Sequence, residues 1–354
     1  STVVHHLIDA RPAGWMKAII DYDRRPKKAY FKMKEALEPI IVDIRTDKFQ
    51  YFAGDSLKLE FWINSDIKAP FDQGNILYEV RKEEVVFRQK TSVRVPSFSS
   101  KFIGFFNYKI PPSNKRVVYT VRLGLEDNSG SLINEYKVQL EVFPSKIKGG
   151  ESLGVGIVGK ESGNAWQLAK GLGLNPSIFN SEFKSEIILI DDLTIYDNIK
   201  DDIYKAVDNG GKLIFLEQPK NSKIIFKTDT IQVKKSFQGL NFLSINKEKE
   251  SLKWFKKNDF NLWYNNTFDR IDFVAKSYLS GSNLNPILTT GQWDWSFKEK
   301  ADLPVFAELE TPFNYNVYFC LFITDYGVKE HSALYFFLNL IIEEDLSFSF
   351  INGY

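Results

Sequence analysis

The chain has almost no material for thiolate, thioether or imidazole chemistry. Its 354 residues include one Cys, two Met and three His. One Cys excludes a disulfide framework within the chain and a multi-thiolate metal centre. Three His, two of them adjacent at His5 and His6, leave little for a His-based zinc site. An excess of either charge is also missing: 46 Lys+Arg face 45 Asp+Glu, for a net charge of +1. That balance argues against a basic nucleic-acid binder, which needs a surplus of cations to meet phosphates. No apolar run reaches the roughly 18 residues of a membrane-spanning helix. No leader peptide opens the chain, so the expectation is that none was made or that it has been removed. What is abundant is apolar and aromatic bulk. Hydrophobic residues make up 44% and aromatics 15%, which excludes a disordered chain. At about 150 residues per domain, the length predicts two or three domains. No cofactor and no metal is expected.

Three segments read differently. Residues 1–39 begin with an apolar run, Thr2–Ile8, followed by a loop and a helix. Asp23 is the expected N-cap and Pro26 sits in the first turn. Tyr30, Met33, Ala36 and Leu37 then share one helical face, and Pro39 ends the helix. One strand and one helix cannot bury a core, so this segment is expected to pack on other protein. Residues 40–145 alternate with period two, as in Ser56–Ile63, Tyr119–Leu125 and Tyr136–Val142, with turn signals such as Ala53-Gly54-Asp55 and Asp127-Asn128-Ser129-Gly130 between them. About seven short strands in roughly 100 residues predict an antiparallel immunoglobulin-like β-sandwich. After the linker Pro144–Gly150, the apolar strands at 153–158, 186–191 and 212–216 alternate with helical stretches at 165–172 and 197–207. That pattern predicts an α/β domain over 151–354 with a doubly wound parallel sheet. The stretch 220–300 is polar and hard to assign. Strands return at 303–309 and 316–324, and 331–342 reads as a last helix.

The first segment carries a specific resemblance. Asp21, Tyr22, Arg25, Pro26, Lys27, Ala29 and Tyr30 match a run Asp-Tyr-x-x-Arg-Pro-Lys-x-Ala-Tyr that follows the last barrel strand in family 2 glycoside hydrolases. Upstream, Asp9, Pro12 and Trp15 resemble that family's exit from strand eight. Gly54–Leu57 and Trp62–Asp66 are similar to the opening strands of the sandwich that follows the barrel there. The resemblance implies that residues 1–39 are the last strand–helix unit of a (β/α)8 barrel. It implies substrate-binding roles for His5, Asp9 and Trp15. Aligned on Asp9, the family's strand-eight Trp falls at His5 and its Asn at Ile8, so the stacking platform is replaced; the plainer reading is that His5 and His6 are ordinary strand residues. Retaining glycosidases need two carboxylates about 5–5.5 Å apart. In this family both lie on earlier barrel strands, so no catalytic residue is expected in this chain.

Other constellations are weaker. Gly154-Val155-Gly156-Ile157-Val158-Gly159 satisfies G-x-G-x-x-G, but the glycines fall inside an apolar strand instead of after it. The 151–345 region loosely resembles flavodoxin-like and class I amidotransferase-like domains. Cys320 sits in an apolar strand without elbow glycines and His331 is isolated, so a core thiol is the expectation there. Asp191-Asp192 stands at the carboxyl end of a strand, where α/β domains hold ligands; the plainer reading is helix capping. Trp254, Trp263, Trp293 and Trp295 offer faces for pyranose rings, with Trp293 and Trp295 as speculative sugar-binding residues; the plainer reading is packing.

Together these features predict a multidomain chain: the end of a barrel, an all-β sandwich, and a flavodoxin-like α/β domain. The expected function is the non-catalytic C-terminal portion of a family 2-like glycosidase. The role is structural, pocket-shaping or oligomer-building, and carbohydrate is the partner. Nucleic acid and a membrane span are not expected, and a homo-oligomer is left open. Two alternatives remain: a stand-alone carbohydrate-binding module, and an independent α/β enzyme at 151–354. A periplasmic or secreted location is weakly favoured.

Overall fold

The computed structural model describes residues 6–9, 18–46, 48–144, 154–182, 186–240, 243–245, 252, 254–256, 259–260, 264–265, 270–271, 275–292, 300–313, 315–321 and 332–343. The chain forms two compact units. The first comprises Ser1–Pro112 and Val117–Val142, and the second Ser113–Arg116 and Phe143–Tyr354.

The first unit opens with β1 (His6–Ile8) pairing in parallel with β2 (Ala18–Ile20), a strand absent from the sequence reading. Helix α1 follows (Lys28–Ala36). Its start corrects the sequence expectation. Asp23 is not the N-cap: its carboxylate accepts from Arg25, and the cap position is Lys27, with no side-chain hydrogen bond. Residues 25–27 stay extended because Pro26 bridges to Ile20 and the Lys27 N–H donates to the Ile19 carbonyl. The helix therefore begins later. Its expected apolar face is present in sequence but buries nothing, since no residue of α1 is buried.

The rest of the unit is a two-sheet sandwich. Its strands are β3 (Ile40–Arg45), β4 (Gln50–Phe52), β5 (Ser56–Ser65), β6 (Phe71–Arg81), β7 (Val85–Val95), β8 (Ser99–Lys109), β9 (Val117–Glu126) and β10 (Leu132–Phe143). One sheet has the order β3-β5-β8, the other β4-β10-β9-β6-β7. Eight strands replace the expected seven, and six of them are ten residues or longer. The core lies between the sheets. Leu57, Leu59, Phe61 and Ile63 alternate inward from β5 and share one cluster with Ile76, Val80, Val121 and Leu123.

A charged ladder crosses the larger sheet. Glu79 on β6 is buried, opposite Arg88 on β7 and Arg122 on β9. Its carboxylate lies 2.9 Å from Arg81, 3.3 Å from Arg88 and 3.1 Å from Arg122. Arg122 continues to Glu135 at 2.7 Å, and Glu135 to Lys137 at 2.6 Å. Burial alone would push Glu79 up, but the arginines outweigh it and hold its carboxyl below the ordinary glutamate range.

The second unit contains β11 (Val155–Val158), α2 (Asn164–Gly171), β12 (Pro176–Ile178), β13 (Ile187–Ile190), α3 (Leu193–Asp208), β14 (Lys212–Phe215), β15 (Lys223–Phe226), β16 (Asp229–Leu240), β17 (Ser244–Ile245), β18 (Tyr264–Asn265), β19 (Arg270–Ile271), β20 (Ala275–Ser280), β21 (Leu284–Gln292), β22 (Lys300–Leu309), β23 (Val317–Cys320) and, last, α4 (Ser332–Glu343). Its main sheet has the order β12-β11-β13-β14-β23-β22-β21-β17. The first five strands are parallel neighbours; β22, β21 and β17 add antiparallel pairs. The polar stretch between β14 and β23 contributes further strands among the described residues: β15, β16 and β20 form a separate three-stranded sheet. Of the parallel strands, β11, β13, β14 and β23 are buried on both faces, as their apolar runs require, while β12 is a part-exposed edge strand.

One buried cation holds this sheet to its last helix. Lys212, the first residue of β14, is buried, and its ammonium donates to the carbonyls of Ile341 and Ile342 near the C-terminus of α4. Those carbonyls have no partner within the helix, and the negative end of the helix dipole favours a cation. Among the described residues, no helix is long and apolar enough to cross a membrane.

The ladder yields a prediction. A depressed carboxyl pKa contributes stability that is present above the unfolded-state value and is lost as pH falls through the folded value. Glu79→Gln should cost about 1–3 kcal/mol at pH 7, because it removes the buried carboxylate that Arg81, Arg88 and Arg122 share. The gap between wild type and variant should close as pH falls below the carboxylate range. Urea denaturation at pH 7 and pH 3 checks both, and a constant gap refutes the ladder's role.

Candidate functional site

Asp9 leaves the end of β1, and its N–H donates to the Ile20 carbonyl at 3.1 Å. Its side chain is buried, with Oδ2 2.6 Å from Lys27 Nζ. The other oxygen, Oδ1, is buried and has no hydrogen-bond partner among the described residues. The motif residues around it build a turn. The Asp21 N–H donates to the Arg25 carbonyl, and the Asp21 carboxylate accepts the Arg25 N–H at 2.8 Å and Nε at 2.9 Å. The Arg25 backbone N–H, with the guanidinium behind it, keeps the Asp21 carboxyl below the ordinary aspartate range. Arg24 takes a positive φ of 63° to close the turn. Asp21, Arg25, Pro26 and Lys27 thus hold the chain against β2 and deliver Lys27 to Asp9. The sequence reading does not single out Lys27 as the partner of Asp9, because the two are 18 residues apart and no periodicity links them. A lone ion-paired carboxylate cannot supply the acid/base and nucleophile pair of a glycosidase. Asp9 can accept one further hydrogen bond at Oδ1. His5 and Trp15, its expected companions, lie outside the described residues, as do Trp293 and Trp295.

The carboxyl edge of the parallel strands is the second candidate. The glycines at 154 and 156 fall before and within β11, so they do not form a phosphate loop. The loop after the strand runs from Gly159 to Gly163 and wraps the Asp191 carboxylate. A Cβ on Gly159 would overlap that carboxylate, and a Cβ on Gly163 would approach it to 2.5 Å. Asp191 Oδ2 accepts the Ala165 N–H at 2.8 Å and so caps α2 from across the sheet edge. Burial pushes the Asp191 carboxyl up, and the neighbouring Asp192 adds to this, against the hydrogen bond from Ala165. Asp192 caps its own helix: its Oδ1 accepts from Thr194 N at 2.9 Å and Ile195 N at 3.2 Å. Both acids are therefore committed to helix N-termini. The first turn of α2, where a phosphate would sit, holds a carboxylate of the chain itself.

Cys320 and Trp254 serve packing, while Trp263 and His331 lie outside the described residues. Cys320 is buried in β23. The Trp254 ring meets Phe336 of α4 edge to face at 5.7 Å, and its carbonyl accepts from Arg116. Among the described residues, no group of three His, Cys, Asp or Glu is placed to hold a metal ion.

Comparison with protein-family models and with curated sequences finds no match. Solved structures resemble parts of the chain. A CARDB domain from Pyrococcus furiosus, in complex with di-metal ions, is 11% identical over 30% of this chain and 94% of that one, with a TM-score of 0.24. A β-glucuronidase from glycoside hydrolase family 2 is 13% identical over 54% of this chain and 22% of its own, also at 0.24. A calcium-binding mutant of Bacteroides uniformis β-glucuronidase 2 is 9% identical over 54% of this chain and 26% of its own, again at 0.24. The chain thus spans about a quarter of these glycosidases. Likeness at this level carries no argument about activity.

The wedge of Asp191 into the glycine loop is testable by a double-mutant cycle. Gly159→Ala should cost about 1–3 kcal/mol through overpacking. Adding Asp191→Ala should recover at least about 1 kcal/mol of the expected sum. Strict additivity in urea denaturation refutes the contact.

Proposed function

We propose that this chain is the non-catalytic C-terminal portion of a family 2-like glycoside hydrolase, acting with carbohydrate as the parent's substrate. In this reading residues 1–39 are the last strand–helix unit of a (β/α)8 barrel, 40–145 an immunoglobulin-like sandwich, and 151–354 a flavodoxin- or amidotransferase-like domain without that chemistry. The observation that carries it is the uncovered apolar surface of the first segment. Among its described residues only Asp9 and Ala18 are buried, while Leu7, Ile8, Tyr22, Phe31 and Leu37 are exposed. A two-stranded parallel sheet is not a stable end state, because parallel strands are covered on both faces. Packing β1 and α1 into a barrel covers these side chains. It would also place Asp9, with His5 and Trp15, beside a sugar pocket whose acid/base and nucleophile come from preceding strands. The order of the parallel strands, second-first-third-fourth-fifth in chain sequence, supports the flavodoxin-like reading of the last domain. The burial of Cys320 within a strand supports the loss of any amidotransferase chemistry.

Two measurements test this. The purified chain, mixed with aryl glycosides of common hexoses and hexuronic acids, should release no aryl alcohol above buffer. An immunoblot of native cells with an antibody to the sandwich should show a species about 30 kDa or more above the 40.9 kDa of this chain. Turnover by the chain alone, or a native band at 40.9 kDa, overturns the proposal.

A further inference from the structure

The smaller sheet of the sandwich turns an unusual set of side chains to solvent. Trp62 on β5 pairs with Phe102 on β8, Glu60 with Phe105, and Asn64 with Ser100. On the other flank, Asp43 of β3 lies opposite Trp62, and Arg45 opposite Glu60. A bulge in the β5–β8 register, where Ile103 is the extra residue between the Phe61–Gly104 and Trp62–Phe102 pairs, shifts the alternation by one residue. Without it, Phe102 and Phe105 would face opposite sides of the sheet; with it, both point outward, 40% and 71% exposed. Two phenylalanines that a core would bury stand in water instead.

The face is also ordered. Trp62 and Phe102 are 5.2 Å apart between ring centroids, and Phe102 and Phe105 5.0 Å. Trp62 Nε1 donates to Glu60 at 3.0 Å, and the Arg45 guanidinium sits 4.4 Å over the Trp62 ring while reaching Asp43 at 3.4 Å. Ser100 Oγ donates to Asn64 Oδ1 at 2.6 Å. A continuous aromatic row is thus rimmed by carboxylate, guanidinium, amide and hydroxyl groups.

We infer that this face binds a neutral polysaccharide chain, with Phe102 and Phe105 as the platform and Trp62 as its inner wall. Aromatic faces take the C–H faces of pyranose rings, and the rim supplies donors and acceptors for ring-edge hydroxyls. The charges choose among occupants. Asp43 and Glu60 offset Arg45 and Lys58 of the same face, so the surplus of cations that a nucleic acid or an anionic membrane requires is missing. The centre of a protein–protein interface is depleted of charge, whereas Arg45 and Glu60 both touch the innermost ring. The inference stands whether or not residues 1–39 close a barrel.

The test is native affinity electrophoresis of the full chain in gels containing hydroxyethylcellulose, galactomannan or laminarin. Retardation is expected in at least one. The double variant Phe102→Ala/Phe105→Ala should bind at least about tenfold more weakly, because both stacking faces are lost. Phe105→Trp should retain binding. Phe313→Ala, which removes an exposed ring of the second unit, should leave it unchanged. Circular dichroism confirms folding, which changes at solvent-facing positions should not disturb. No retardation in any of the three gels overturns the proposal. Equal retardation of the double variant overturns it too and moves the site elsewhere on the chain. If the double variant alters only concentration-dependent sedimentation, the face joins protein copies and the proposal is wrong.

Discussion

Charges taken out of water must be met by opposite charge or by oriented dipoles, and this constraint decides much of how the chain folds. Glu79 meets three arginines, Lys212 meets the end of a helix, and Asp9 meets Lys27. Within the second unit, Asp259 is gripped by Arg116 through both guanidinium nitrogens, accepts the Lys256 N–H at 2.6 Å, and lies beside the Arg116 contact with the Phe143 ring. Such pairs add little net stability over an apolar substitute. They are strongly selective against alternatives, because losing one partner leaves a bare charge inside. A one-residue slip of β6 against β9 would carry Glu79 to the opposite face of the sheet and away from Arg88 and Arg122. The ladder therefore fixes the register of the sandwich's larger sheet, and Lys212 fixes where α4 meets the parallel strands.

Much of the architecture is written in local patterns. The alternation of Ser56–Ile63 places Leu57, Leu59, Phe61 and Ile63 in the core. The apolar runs Val155–Val158 and Ile187–Ile190, with turns and a helix between, become neighbouring parallel strands. The glycines of the G-x-G-x-x-G run fall in and around a strand because Val155, Ile157 and Val158 are its apolar content. What stays hidden depends on distant partners. The start of α1 is set by a bridge from Pro26 back to Ile20, which overrides the capping preference of Asp23. Asp191 reads as a cap for the helix that follows it, yet it caps α2, 26 residues earlier. The polar stretch after β14 lacks clean alternation because several of its strands are short or bulged.

The site followed the same division. The run from Asp21 to Tyr30 is legible as a motif, and through Lys27 it converges on Asp9. The physical content of that convergence is a turn and an ion pair, which sequence spacing cannot reveal. The outward phenylalanines are hidden for a different reason. Phe102-Ile103-Gly104-Phe105-Phe106 is apolar without a period, and only the bulge decides which rings leave the core.

The two units make opposite use of an exposed edge. A parallel sheet normally offers its carboxyl end to ligands, because loops there are free to diverge and helix N-termini face the opening. Here, among the described residues, the ends of β11 and β13 are occupied by the chain's own acids: Asp191 fills the glycine loop and Asp192 satisfies α3. An anion arriving at α2 would have to displace a carboxylate that two glycines are shaped to admit, and would meet Glu161 and Asp192 nearby in the chain. The sandwich spends structure in the other direction. A bulge is a local break in strand pairing, and the sheet tolerates one at Ile103, beside Gly104, where the regular alternation would have buried Phe105. A fold that fills the ends of β11 and β13 with internal caps, and keeps two aromatic rings in water by a bulge, has placed its capacity for recognition on the sheet face.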